Sequence, residues 1–126
     1  MMISISKKLF EAILEDARRL HPKETILLLC GGKRGDDFEI TDFIIPPLAT
    51  YGRGFTSFPA HMLPIDFSII GTAHSHPSGS LNPSLTDLNN FWGRVLMIVA
   101  PPYKGGWSVA VYDKDGRVVE LKITDE

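Results

Sequence analysis

Two histidines separated by a single residue, His74 and His76, lie in the stretch Gly71-Thr72-Ala73-His74-Ser75-His76-Pro77-Ser78-Gly79-Ser80-Leu81-Asn82-Pro83-Ser84-Leu85-Thr86-Asp87. The residues up to Ser75 have strand character. Side chains in a strand alternate between faces, so both imidazoles project to the same side, about 6.6 Å apart along the chain. From there two ring nitrogens can converge on one cation, with Zn–N near ~2.0–2.1 Å. The turn-forming segment after His76 reverses the chain and delivers Asp87 to the first turn of a following helix, where the positive helix end favours the ionised carboxylate. Two imidazoles and one carboxylate leave a fourth tetrahedral position for water, the arrangement of a catalytic zinc site rather than a closed structural one.

Each part also has a plainer reading. A lone His-x-His pair in a strand is more often two hydrogen-bonded histidines, and Ser84-Leu85-Thr86-Asp87 reads as a capping box, with Ser at the N-cap and an acid at N3. The concurrence of the pair, the reversal and the acid in one short span favours the metal. Ser84 can serve both readings, because an N-cap serine is held in place by its helix.

The elements that must position these groups can be read from periodicity. Leu9, Phe10, Ile13, Leu14, Ala17 and Leu20 recur at helical spacing, with Lys7, Lys8, Glu11, Glu15, Arg18 and Arg19 on the other face. Ser6 is the expected N-cap, and Pro22 discourages helical geometry at His21. The continuous apolar run 25–30 predicts a strand buried on both faces, closed by a glycine-rich turn that begins at Gly31. Further strands are expected over 38–45, 67–75 and 95–100, with a short helix over 87–94. The segments 107–112 and 117–123 flank Asp113-Lys114-Asp115-Gly116 as a β-hairpin. Residues 46–66 are irregular. The sum is a single mixed α/β domain spanning 1–126.

Composition narrows the function classes. The chain has 126 residues, 44% of them hydrophobic and 22% charged, which is ordinary for one soluble domain. A net charge of −2 offers no electrostatic footprint for nucleic acid or anionic lipid. The lone Cys30 excludes an internal disulfide and a multi-cysteine zinc site. No apolar run approaches membrane-span length, and the first residues lack the apolar run of a signal peptide, so a cytoplasmic protein is expected.

His74-Ser75-His76-Pro77, followed by Ser84 and Asp87 at this spacing, resembles the signature of the JAMM (MPN-plus) metallopeptidases. The resemblance covers essentially the whole chain, and the size is that of small stand-alone prokaryotic members. It implies a sheet like that of the cytidine deaminases with flanking helices, a bound Zn2+, and cleavage after the carboxyl tail of a ubiquitin-like modifier protein. It further implies an upstream glutamate at the start of the first strand after an amino-terminal helix, which is Glu24. Zinc makes hydroxide available near neutral pH, and a carboxylate beside that water takes its proton and later hands it to the leaving amine. That role is assigned to Glu24. By the same resemblance Ser84 is the hydroxyl donor to the tetrahedral oxyanion, a contribution of ~10²-fold or more. An insertion near residues 48–63 would help hold the extended tail, with Phe55 and Phe58 as candidate partner contacts. Covering the core from a loop is their equally weighted alternative.

Other activities fit less well. Trimming a ubiquitin-fold sulfur-carrier protein is a close alternative. Pro77-Ser78-Gly79 with Pro83-Ser84 also matches the DNA-associated RadC-type pattern, against which the acidic balance argues. Cytidine deamination needs His-x-Glu and a Cys-x-x-Cys pair, and a zincin needs His-Glu-x-x-His; the chain has neither. Cys30 is expected to be an inert core thiol, and Trp92 and Trp107 are expected to pack. His21 is expected to interact with the last helical carbonyls, and His61 is expected to be exposed.

Overall fold

The computed structural model describes residues 1–46, 68–89, 91 and 93–125. Phe55, Phe58, His61 and Trp92 lie outside the described residues. The chain order is β1 (Met2–Ser6), α1 (Lys7–Leu20), β2 (Ile26–Arg34), β3 (Asp37–Ile44), β4 (Ile69–Ser75), α2 (Leu85–Asn89), β5 (Val95–Val99), a 3-10 turn (Gly106–Ser108), β6 (Val109–Tyr112) and β7 (Val118–Thr124). Among these residues no helix is long and apolar enough to cross a membrane.

The mixed α/β reading holds, and the sheet closes on itself in the order β1-β3-β2-β4-β5-β6-β7. The pairs β1/β3, β1/β7 and β4/β5 are parallel and the others antiparallel. Closure depends on β1, which the periodicity argument does not anticipate. Its alternation is nevertheless plain, with Ile3 and Ile5 fully buried between half-buried neighbours.

Helix α1 starts as expected. Ser6 is the N-cap, and its Oγ accepts from the Leu9 amide at 3.1 Å. The apolar stripe Phe10, Ile13, Leu14 and Ala17 joins the main core with Ile3, Ile5, Leu27, Leu29, Met97 and Val99.

The end of β2, the bounds of α2 and the setting of Trp107 differ from expectation. Strand β2 runs on through Gly31 and Gly32, and the turn falls at Gly35, with φ +63°. Gly31 sits at a register shift against β3, where an added Cβ would lie 1.9 Å from the Glu39 carbonyl oxygen. That glycine therefore permits close strand approach instead of turning the chain. Helix α2 begins at Leu85 because Ser84 caps it, and it ends by Asn89. Trp107 is not a packing residue, since it is 74% exposed beside Gly105.

Strand β5 shows how the fold makes room for a site. All five of its residues are buried. Val95, Met97 and Val99 face the main core, whereas Leu96 and Ile98 face the other way into a small cluster with Tyr112, Leu81 and Phe91. His74 pairs with Ile98 across β4/β5, so the imidazoles share this second face. The loop after β4 folds down over it, and the Tyr112 hydroxyl donates to the Leu81 carbonyl at 2.7 Å to hold the loop there.

Candidate metal centre

The site lies where β4 ends, beside its parallel partner β5. His74 is the penultimate residue of β4, and His76 follows it, anchored by its amide to the Val99 carbonyl at 2.8 Å. As strand alternation requires, His74 and His76 point to one side and Ser75 to the other, where Ser75 is 1% exposed. The loop then brings Asp87 back onto both imidazoles. His76 Nε2 lies 3.0 Å from Asp87 Oδ2, and His74 Nδ1 lies 3.6 Å from Asp87 Oδ1.

The capping box and the convergence coexist. The Asp87 amide donates to Ser84 Oγ at 3.0 Å, while the Ser84 amide donates to Asp87 Oδ2 at 2.8 Å. One oxygen of Asp87 thus takes both the cap amide and the His76 ring. Because Ser84 Oγ accepts from the helix, its own proton is left to donate outward.

His76 Nδ1 lies 3.1 Å from the Ser80 carbonyl, which can accept a proton from it, and Nε2 is the ring nitrogen that faces Asp87.

Glu24 stands just ahead of β2, half-buried. Ile26 pairs with His74, and the Thr25 carbonyl accepts from the Ser75 amide at 3.1 Å, so Glu24 is carried toward His76. The charges of His76 and Asp87 both act on it. Burial raises the Glu24 pKa and outweighs the lowering pull of His76, with Asp87 adding to the rise.

The other groups separate by environment. Burial, reinforced by repulsion from His76 and only partly offset by Asp87, drives His74 down to about 4, so this imidazole is neutral at pH 7. Burial also opposes charge on His76, but the Asp87 hydrogen bond and charge, the Ser80 carbonyl and Glu24 prevail and raise its pKa. Asp87 resists its own burial through the His76 bond, the Ser84 amide and the two imidazoles, which hold it at about 2.

As they stand, the donors are closed onto one another. Among the described residues no three His, Cys, Asp or Glu side chains are set around a common point as a metal would require. In kind they suit a divalent ion of zinc type: two imidazoles flank one ionised carboxylate, with side-chain exposures of 16%, 12% and 11%. To hold such an ion, His76 and Asp87 would have to give up the contact they share.

The structure adds residues that the spacing argument passes over. Tyr112 pins the loop, and Ser75 Oγ accepts from the amide of Thr25, the residue after Glu24. Ser75 was visible only as the spacer between the histidines, and Tyr112 only as a hairpin residue. His21 meets the last helical turn as expected, through its amide, which donates to the Ala17 carbonyl at 3.0 Å, while its ring Nδ1 lies 2.9 Å from the Tyr103 hydroxyl. Cys30 is buried and its pKa is raised by burial and by Asp42, which suits an inert thiol.

This geometry agrees with the chain's similarities. Residues 6–118 match the Prok-JAB family, the prokaryotic homologs of the JAB domain, and the chain belongs to that family. A Haloferax volcanii protein named "Probable metalloprotease" is 32% identical over 98% of this chain and 81% of its own length. A JAB1/MPN domain protein from Archaeoglobus fulgidus is 35% identical with a TM-score of 0.71, covering 99% of this chain and 100% of its own. A structure described as JAMM, a metalloprotease-like zinc site in the proteasome and signalosome, is 32% identical with a TM-score of 0.72 over the same shares. The class is therefore that of a JAMM-type, metalloprotease-like domain.

Proposed function

We propose that this domain is a zinc-dependent peptidase that cuts isopeptide or peptide bonds after the carboxyl tail of a ubiquitin-like protein. The observation that carries the reading is the meeting of His74, His76 and Asp87 from two separate elements, with Glu24 held beside them. The three residues are the proposed zinc ligands. Bound there, zinc would supply a Lewis acid that makes water a competent nucleophile near neutral pH.

The chain's own groups do the rest. Glu24 removes a proton from the attacking water and returns it to the departing amine; a carboxylate raised above its ordinary value by burial is suited to holding that proton between the two steps. Ser84, fixed by the helix it caps, donates its hydroxyl proton to the oxygen that becomes negative in the transition state. An extended tail would bind by adding a strand beside the site. Phe55 and Phe58, which lie outside the described residues, are the proposed contacts with that tail.

The test is an assay of the purified chain on a linear ubiquitin-like fusion, a lysine-linked conjugate and a tail-extended sulfur carrier, with and without chelator, read by mass spectrometry. Chelator-sensitive cleavage immediately after the tail supports the reading. Cleavage confined to tail-extended sulfur carriers transfers it to carrier processing. The absence of zinc-dependent cleavage of all three refutes it.

A further inference from the structure

The residue between the two histidines is more than a spacer. Ser75 and Thr25 are 1% and 3% exposed, and they meet at the end of the β2/β4 pairing. The Ser75 amide donates to the Thr25 carbonyl at 3.1 Å, as a regular antiparallel pair requires. The reciprocal bond is different. The Thr25 amide goes to the Ser75 side-chain Oγ at 2.8 Å, in place of a main-chain carbonyl, and the Thr25 hydroxyl lies 3.1 Å from the same Oγ. A side chain on the core face of β4 therefore sets the path of the backbone immediately after Glu24.

Resting on the peptidase reading above, we propose that Ser75 is a positioning residue for that reaction, its hydroxyl holding the Thr25 backbone so that the Glu24 carboxylate stands opposite His76. Alternation explains why the job falls to this position. The two histidines project to the site face, which leaves the intervening side chain to face inward, where the strand bearing Glu24 begins. At the other end of the 21–25 segment the His21 ring is tied to the Tyr103 hydroxyl at 2.9 Å. Loss of the Ser75 hydroxyl thus frees the Thr25 amide, while the Ser75 amide on the Thr25 carbonyl and the His21 amide on the Ala17 carbonyl still hold the segment. An attacking water must be met by the base within hydrogen-bond reach, and a displacement of about 1 Å costs up to about 100-fold in rate.

The experiment compares Ser75→Ala and Ser75→Thr with the unaltered chain. Three quantities are read: zinc stoichiometry, kcat and KM on a ubiquitin-like fusion, and hydrogen exchange of the Thr25 amide by NMR. The expected result for Ser75→Ala is undiminished zinc binding and KM, a fall in kcat of about 10- to 100-fold, and faster Thr25 exchange. Ser75→Thr keeps the hydroxyl and restores both kcat and exchange. Should Ser75→Ala fail to fold, Ser75→Cys, of similar volume but a weak acceptor, shows the same two losses in smaller measure. An unchanged kcat overturns the proposal, as does a loss that follows zinc content or is not rescued by Ser75→Thr. If the unaltered chain cleaves neither fusion, conjugate nor tail-extended carrier, the peptidase reading itself has failed. Thr25 exchange then decides the positioning claim alone, and equal protection in all variants overturns it.

Discussion

His76 Nε2 and Asp87 Oδ2 lie 3.0 Å apart, so the base and acid proposed as zinc ligands hold each other in a hydrogen bond that an arriving ion must open. The two imidazoles do not compete with the ion equally. His76 is raised above 6.5, so as pH falls through that raised value zinc must expel one proton from it. His74 is lowered to about 4 and is already neutral. Asp87, at about 2, is already ionised. Zinc affinity should therefore be flat with pH above the raised His76 value, fall about tenfold per pH unit below it, and steepen only near pH 4. Competition titration against a chelator of known affinity checks this. A two-proton slope starting near pH 6.5 would show that the environments do not split the pair.

Glu24→Gln keeps the shape and removes the basic oxygen. Zinc stoichiometry should remain as in the unaltered chain while kcat falls by at least about 10²-fold, the low end of a positioned general base. Single-turnover kinetics on a fusion substrate checks it, and residual activity within tenfold would reject Glu24 as the base.

Tyr112→Phe removes one hydroxyl and leaves the ring in its cluster. The Leu81 carbonyl loses its 2.7 Å donor, at a cost of about 1 kcal/mol. Because that bond holds the loop leading to Asp87, zinc affinity should fall roughly fivefold with little change in secondary structure. Calorimetric titration measures it.

Gly71→Ala tests the β4/β5 seam. A Cβ there would lie 2.0 Å from the Val95 carbonyl oxygen and 2.6 Å from its Cγ2, whereas one at Gly32 meets nothing within 4 Å. Denaturant unfolding should show a loss of about 3 kcal/mol or more for Gly71→Ala and a change within about 0.5 kcal/mol for Gly32→Ala.

What could be read from the sequence was what is local. His74 and His76 share a face through strand alternation, and Asp87 is placed by a capping box with Ser84; both facts lie within a few bonds of the residues concerned. The Ser6 cap and the α1 stripe were visible for the same reason. Glu24 is different. Its approach depends on Thr25 meeting Ser75, 50 positions away, and periodicity carries no record of that contact, so only the family resemblance pointed to it. Tyr112 and Leu81 are likewise 31 positions apart. Strand β1 has five residues with one clear alternation, too short a pattern to stand out until its parallel partners β3 and β7 close the sheet. Gly31 showed the ambiguity of glycine, which marks a close approach of strands as readily as a turn.

The central claim is that His74, His76 and Asp87 hold one zinc ion between them. Zinc titration of the metal-free chain, with Asp87→Ala alongside, tests this most directly. One ion per chain is expected, with a loss of affinity beyond about 100-fold on removing the carboxylate, more than an outer partner of a ligand would cost. Undiminished zinc binding by Asp87→Ala, or none by the unaltered chain, would contradict it.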